Sequence, residues 1–158
     1  MKRFVIVILM CALLLTGCGK GEKAEQMEKY HSEVSGFFER LENYNQSFAA
    51  IDPAGETASQ EALQIIDAMT EDLNTVAQLE APEEFSNAQD MLKEAAGRMN
   101  AAQQDFHSAF DGEYQQQSFE KAYSEYSSAN EYIGYAVTFY HGEIPEGFVL
   151  TSEEETEE

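Results

Sequence analysis

Apolar side chains recur along this chain at alternating spacings of three and four residues. In the first long stretch the pattern is unbroken over eight positions: Met27, Tyr30, Val34, Phe37, Leu41, Tyr44, Phe48 and Ile51. Because 3.6 residues make one helical turn, this spacing places all eight on one face of a helix. The sequence predicts a first helix of about 28 residues. It ends at Asp52-Pro53, since proline has no N–H to donate.

The same spacing predicts three more helices. The second opens at Thr57 with Gln60 as a capping box, and its apolar row is Ala62, Ile66, Met69, Leu73 and Val76. The row of the third is Phe85, Ala88, Leu92, Ala95, Met99, Ala102, Phe106 and Ala109. The row of the fourth is Phe119, Ala122, Tyr126, Ala129, Ile133, Ala136 and Tyr140. Alanines alternate with large residues in the last two rows, so these two helices are expected to form the tightest pair.

Proline and glycine mark the ends of these helices. Pro82, in "LEAPEEF", suits the start of the third helix, and Asp111-Gly112 is expected to end it, with Gly112 free to adopt a left-handed conformation. Gly142 closes the fourth helix. Four long helices with short connections predict an all-α fold, an antiparallel up-down four-helix bundle. The alternative is a three-helix bundle with one helix bent at Pro82.

The chain is strongly acidic, and its charge is unevenly distributed. The formal net charge is −21, and no basic residue lies between Arg40 and Lys93 or after Lys121. Phosphate binding needs clustered lysine and arginine. Nucleic-acid partners are therefore not expected.

The first eighteen residues have the pattern of an export signal. Lys2 and Arg3 precede the apolar run 4–15, which is too short to span a bilayer. Residues 15–18, "LTGC", resemble the lipobox of bacterial lipoproteins. The resemblance implies cleavage between Gly17 and Cys18 and lipidation of the Cys18 thiol. A lipid on Cys18 would hold the protein on the extracytoplasmic face of the cell membrane.

These features predict four segments. Residues 1–17 form the lipoprotein signal peptide, and residues 18–22 are the lipidated cysteine with a short tether. Residues 23–142 form the helical bundle, and residues 143–158 are an apolar and then acidic tail. The helices and "LEAPEEF" resemble small helical lipoproteins of Gram-positive bacteria, among them cell-wall-binding lipoproteins.

Candidate chemistry is sparse in this sequence. The two cysteines, Cys11 and Cys18, both belong to the signal region, so no free thiol is expected in the mature chain. Glu28-x-x-His31 has the spacing of di-iron bundle ligands, but the motif occurs once where two are needed. A site formed by His31 and His141 is a second weak candidate. No catalytic residue, metal site or cofactor is predicted, and the protein is not expected to be an enzyme.

The predicted function is a non-enzymatic binding module that contacts an envelope protein or a cell-wall partner. The alternative is a carrier or sensor of a small apolar ligand or lipid held between the helices.

One stretch of the fourth helix, "YIGYAVTFY" at residues 132–140, carries more apolar side chains than the apolar row accounts for. Tyr132, Tyr135 and Phe139 lie off the apolar row and make this part of the helix apolar on nearly all sides. The simpler interpretation is that the tail, through Ile144, Phe148, Val149 and Leu150, folds back over them. The other hypothesis is that the three residues form an aromatic collar at the membrane end of the bundle, in contact with lipid or with a partner.

Overall fold

The protein was analysed as a computed structural model, which describes residues 18–148 and the side chains of residue 21 and of 23–148. Its long helices are α1 (Cys18–Ala50), α2 (Ala58–Ala77), α3 (Ser86–Phe110) and α4 (Gln116–Tyr140). A short 3-10 helix spans Glu83–Phe85. The range 18–148 contains no strand, so the predicted all-α class of four helices is confirmed.

The alternative with three helices is wrong, because the chain leaves helical geometry between α2 and the 3-10 helix. Pro82 has an extended backbone, with ψ at 151°. Residues 1–17 and 149–158, which include the predicted signal and the acidic end, lie outside the described range. Residues 18–22, predicted as the lipidated cysteine and tether, form the first residues of α1.

The chain divides after Ser86 into two compact units. We call residues 18–86 hairpin one and residues 87–148 hairpin two. In hairpin one, Gln26 Nε2 lies 3.5 Å from the carbonyl oxygen of Glu80, and Arg40 Nε lies 2.7 Å from Asp72 Oδ2. As the residue in α1 moves forward from 26 to 40, its partner moves back from 80, just after α2, to 72 within α2. Helices α1 and α2 are therefore antiparallel.

The turn of hairpin one is compact. Asp52 Oδ1 accepts a hydrogen bond from the Ala54 N–H at 3.0 Å, and the Asp52 carbonyl accepts one from the Gly55 N–H at 2.9 Å. An aspartate that bonds its own following backbone in this way favours a turn over a helix. Helix α1 accordingly ends at Ala50, close to the predicted position.

The predicted capping box at the start of α2 is wrong. Thr57 already has a helical backbone, with φ at −100° and ψ at −2°, whereas a capping residue is normally extended. Its hydroxyl makes no bond to the helix backbone and instead donates to Glu61 Oε1 at 2.6 Å. Gln60 takes no part in this contact.

Hairpin two is also antiparallel. Arg98 Nη1 lies 3.1 Å from Glu125 Oε2, and Lys121 Nζ lies 2.9 Å from Asp105 Oδ2. The alanines of both apolar rows are buried: Ala88, Ala95, Ala102, Ala109, Ala122, Ala129 and Ala136. Their burial agrees with a close helix pair, although the ranking of this pair as the tightest stays a prediction.

Helix α3 ends at Phe110, directly before the predicted stop at Asp111-Gly112, but Gly112 does not use the left-handed conformation that is open to glycine. The glycines with positive φ among the described residues are Gly142, at 78°, and Gly147, at 80°. The turn after α3 closes differently, through the Gln115 N–H, which donates to the carbonyl of Ala109 at 3.1 Å. A loop with that bond needs no left-handed residue at its start.

Candidate functional site

The aromatic end of α4 is the surface that the sequence singles out. Tyr132 and Tyr135 are half-buried and lie one helical turn apart, with ring centroids 6.1 Å apart and ring planes perpendicular. The Tyr135 hydroxyl donates to Glu131 Oε1. This hydrogen bond raises the pKa of Tyr135 and fixes the direction of its ring. The structure therefore brings Tyr132 and Tyr135 together as one partly exposed aromatic pair.

The third residue of the predicted collar, Phe139, lies in the core. It is only 7% exposed, and the ring of Phe148 packs edge-on against it at a centroid distance of 5.1 Å. Phe148 also contacts the Tyr135 ring at 5.7 Å. The idea of an open three-residue collar is corrected accordingly: Phe139 is covered, and Tyr132 and Tyr135 remain at the surface.

A left-handed turn brings Phe148 back onto α4. The Gly142 N–H donates to the carbonyl of Phe139 at 2.9 Å, and the Glu143 N–H donates to that of Thr138 at 3.0 Å. This pair of bonds defines a Schellman motif, for which glycine is favoured because it lacks a Cβ. The sequence predicted Gly142 as the end of the helix and a tail that folds back, and the Schellman motif is the turn that joins the two.

The predicted fold-back of the tail is confirmed for Phe148 alone. Ile144 is 61% exposed and does not cover α4, while Pro145 is buried. Val149 and Leu150 lie outside the described residues. Among the described residues of the tail, Phe148 packs on α4 and Ile144 does not.

A second feature, a groove in hairpin one, was not predicted from the sequence. It is an open cleft of about 450 Å³ between the end of α1 and the start of α2. Its apolar walls are Tyr44, Ala50 and Ile51 from one helix end and Ile65 and Ala68 from the other. Ser47, Glu61 and Gln64 supply the polar part of the lining.

A polar cluster holds Tyr44, one of the residues that line this groove. Asp72 Oδ2 accepts hydrogen bonds from Arg40 Nε at 2.7 Å and from the Tyr44 hydroxyl at 2.6 Å. Burial, together with the hydrogen bond to Asp72, raises the pKa of Tyr44 to about 12. Tyr44 therefore keeps its proton and this hydrogen bond well above physiological pH, and its ring lines the groove.

The turn end of hairpin two exposes two further aromatic side chains. Tyr114 is 55% exposed and Tyr123 is 59% exposed, and both rings contact Phe119 at centroid distances of 6.2 and 6.5 Å. Phe119 also packs edge-on against Phe106. The signal in the sequence was the aromatic density of residues 106–126, which includes positions off the apolar row.

The structure offers little reactive chemistry around the histidines. His31 is exposed, and its ring packs edge-on against Phe85 at 4.8 Å. His107 Nδ1 lies 2.9 Å from Asp111 Oδ2. Within residues whose side chains are described, no three histidine, cysteine or acidic side chains are grouped so that they could hold a metal ion. Gly17 lies outside the described range, as does the side chain of Cys18.

Comparisons with known proteins add no assignment. Family models, curated proteins and solved structures were compared with the chain, and none of them matches it significantly. None of the helices in residues 18–148 is both long and apolar enough to cross a membrane.

Proposed function

We propose that the protein is a non-enzymatic lipoprotein of the cell envelope, held on the extracytoplasmic face of the membrane by a lipid on Cys18. Its helices act as a binding module for an envelope protein or a cell-wall partner. The lipobox-like residues 15–18 support the anchor. The aromatic pair on α4 supports the binding role.

The pair Tyr132–Tyr135 is the observation that carries the proposal. Tyrosine is enriched at protein interfaces because its ring supplies contact area while its hydroxyl stays solvated. Glu131 and Phe148 restrain the Tyr135 ring, which in turn contacts the Tyr132 ring, so Tyr135 has little side-chain entropy left to lose on binding. A supported, partly exposed aromatic pair is therefore suited to recognition.

Crosslinking on intact cells tests the binding role. The double variant Tyr132→Ser/Tyr135→Ser removes the aromatic pair and leaves Phe139 in the core. Its matched control is Tyr114→Ser/Tyr123→Ser, which removes two exposed tyrosines from the other end of the same hairpin. We expect the crosslinked complex to vanish in the first variant and to persist in the second. A complex retained by both, with both proteins folded by circular dichroism, would remove the aromatic pair from the proposal.

The anchor has its own test. Cys18→Ser removes the thiol, the group that can form a thioether with a lipid. We expect the variant to incorporate no labelled palmitate and to keep its signal peptide. Palmitate labelling equal to that of the wild type would refute lipidation at Cys18.

A second candidate is a carrier of a small apolar ligand, and the groove in hairpin one favours it. Its volume of about 450 Å³ lies within the range of small-molecule sites. Native mass spectrometry of the purified protein tests this role. A bound lipid of fixed stoichiometry that is lost on Ile65→Ser would support the carrier.

A further inference from the structure

The apolar row of α1 extends beyond the part of it that is buried. Tyr30, Val34 and Phe37 are buried, but the next turns of the same row, from Leu41 to Ile51, are only half-buried. An apolar stripe on a helix is normally turned toward a core. Here the stripe leaves the core and becomes one wall of the groove, which Tyr44 and Ile51 line.

The second wall has the same helical spacing. Ile65 and Ala68 stand one turn apart on α2 and face the groove. Two such rows, on the ends of two antiparallel helices, form a shallow channel. Open apolar channels between helices commonly accept the apolar face of a third, amphipathic helix.

The charge around the groove decides what can occupy it. Residues 41–68, which contain every lining residue, include five acidic side chains and no basic one. Glu61 is part of the lining. Arg40, one turn before Tyr44, is already paired with Asp72 at 2.7 Å. An incoming positive charge is therefore attracted, and a negative one is repelled.

The same acidic charge disfavours the other candidate occupants of the groove. A second copy of this chain would bring the same acidic face to the groove. The last eight residues of the chain, 151–158, which lie outside the described range, include five glutamates. An anionic lipid head group would also meet Glu61, and a neutral lipid would gain nothing from it.

We propose that the groove of hairpin one binds an amphipathic segment of another protein, with lysine or arginine flanking its apolar side chains. The apolar face of the segment lies between the two walls, and its basic side chains reach Glu61 and the turn that contains Asp52 and Glu56. This site uses residues of hairpin one alone, so the proposal relies neither on the aromatic pair on α4 nor on the membrane anchor.

The test uses a synthetic helical peptide of about 18 residues, five turns long, with leucine on one face and lysine on the other. The protein contains no tryptophan, so one tryptophan in the peptide reports binding by fluorescence. The ionic strength is held at about 0.15 M, which screens distant charges. We expect saturable 1:1 binding of the lysine peptide and none of its glutamate counterpart.

Two variants locate the peptide, and each has a matched control. Ala68→Arg fills the groove and adds a positive charge at an exposed helical site. Ala24→Arg makes the same change at an exposed site on α1 outside the groove. We expect the affinity to fall about tenfold or more in the first and about twofold or less in the second.

Ile65→Ser removes one apolar wall, and Ile144→Ser removes an exposed isoleucine elsewhere. The affinity should fall about tenfold only for Ile65→Ser.

Each alternative gives a different result. Equal binding by all four variants would mean that the acidic surface attracts the peptide without a site, and would overturn the proposal. A dimer of the wild type that Ala68→Arg dissolves would assign the groove to a second copy instead. A co-purifying lipid displaced by Ile65→Ser would assign it to a carrier. Peptide binding that is unchanged by Tyr132→Ser/Tyr135→Ser would show that the proposed partner surface on α4 does not bind the peptide.

Discussion

The apolar row that begins in α1 and the row from Phe85 to Ala109, in the 3-10 helix and α3, have the same spacing but differ in burial. All eight positions of the row from Phe85 to Ala109 are buried, whereas three of the eight positions of the α1 row are. The buried row alternates large residues with alanine, and the α1 row has no alanine. Alanine needs little room and lets a neighbouring backbone come close, while a row of large residues is buried only as far as other side chains surround it. A regular apolar pattern therefore indicates a helix face without indicating that the face is covered.

The largest effect should come from placing a charge in each row. Leu92 is fully buried in α3, and Leu41 is half-buried in α1. Leu92→Asp should lower the free energy of unfolding by about 4 kcal/mol, because an unpaired carboxylate would lose its water. Leu41→Asp should cost about half as much or less, since its carboxylate can reach solvent. Urea denaturation of both variants measures the difference, and equal losses would mean that the two rows are equally covered.

Enlarging an alanine distinguishes a closed row from an open face. Ala102 is fully buried, so Ala102→Leu should destabilise the protein by about 1–3 kcal/mol through overpacking. Ala49 is exposed on α1, and Ala49→Leu should change the stability by less than about 0.5 kcal/mol. The melting temperatures of the two variants check this. If Ala102→Leu melts like the wild type, the alanine row is not tightly packed.

The turns of the two hairpins should also respond differently to alanine. A Cβ at Gly55 would lie 3.1 Å from the carbonyl oxygen of Asp52, whereas one at Gly112 would meet nothing within 4 Å. Gly55→Ala should cost about 1 kcal/mol, because a backbone atom cannot move aside easily. Gly112→Ala should be neutral or stabilising by about 0.5 kcal/mol, since it restricts the unfolded chain. A destabilising Gly112→Ala would contradict the open turn of hairpin two.

The smallest effect concerns the pH dependence of hairpin one. The pKa of Tyr44 is raised from 10.0 to about 12, so the folded protein holds this proton more tightly than the unfolded chain. Its contribution to stability is complete below pH 10 and is lost as the pH rises toward 12. Tyr44→Phe should therefore lose less stability over this interval than the wild type. Denaturant midpoints at both ends of the interval measure this, and parallel pH curves would contradict the raised pKa.

The sequence predicted the four helices because each carries a long apolar row and ends near proline, glycine or aspartate. It failed where a local motif had two outcomes. Thr57 could bond the helix backbone or a side chain, and in the structure its hydroxyl donates to Glu61. Gly112 could end its helix in a left-handed turn, but the bond from Gln115 to Ala109 closes the loop without one.

The candidate site was predictable only in part. The spacing of Tyr132 and Tyr135, one helical turn, is local, and the sequence placed both residues off the apolar row, where the structure leaves them half-buried. The cover over Phe139 comes from Phe148, nine residues further on, and depends on the turn at Gly142. The groove depends on how far α2 covers α1, which no single helix pattern specifies.

Hydrogen–deuterium exchange with and without the lysine peptide tests the central claim, that the open end of the α1 row is a binding surface. The account predicts that the peptide slows exchange in residues 44–51 and 61–68, which contain both walls of the groove. It also predicts unchanged exchange in α3, whose row is already closed. Slowing spread evenly over the helices, or confined to α4, would contradict it.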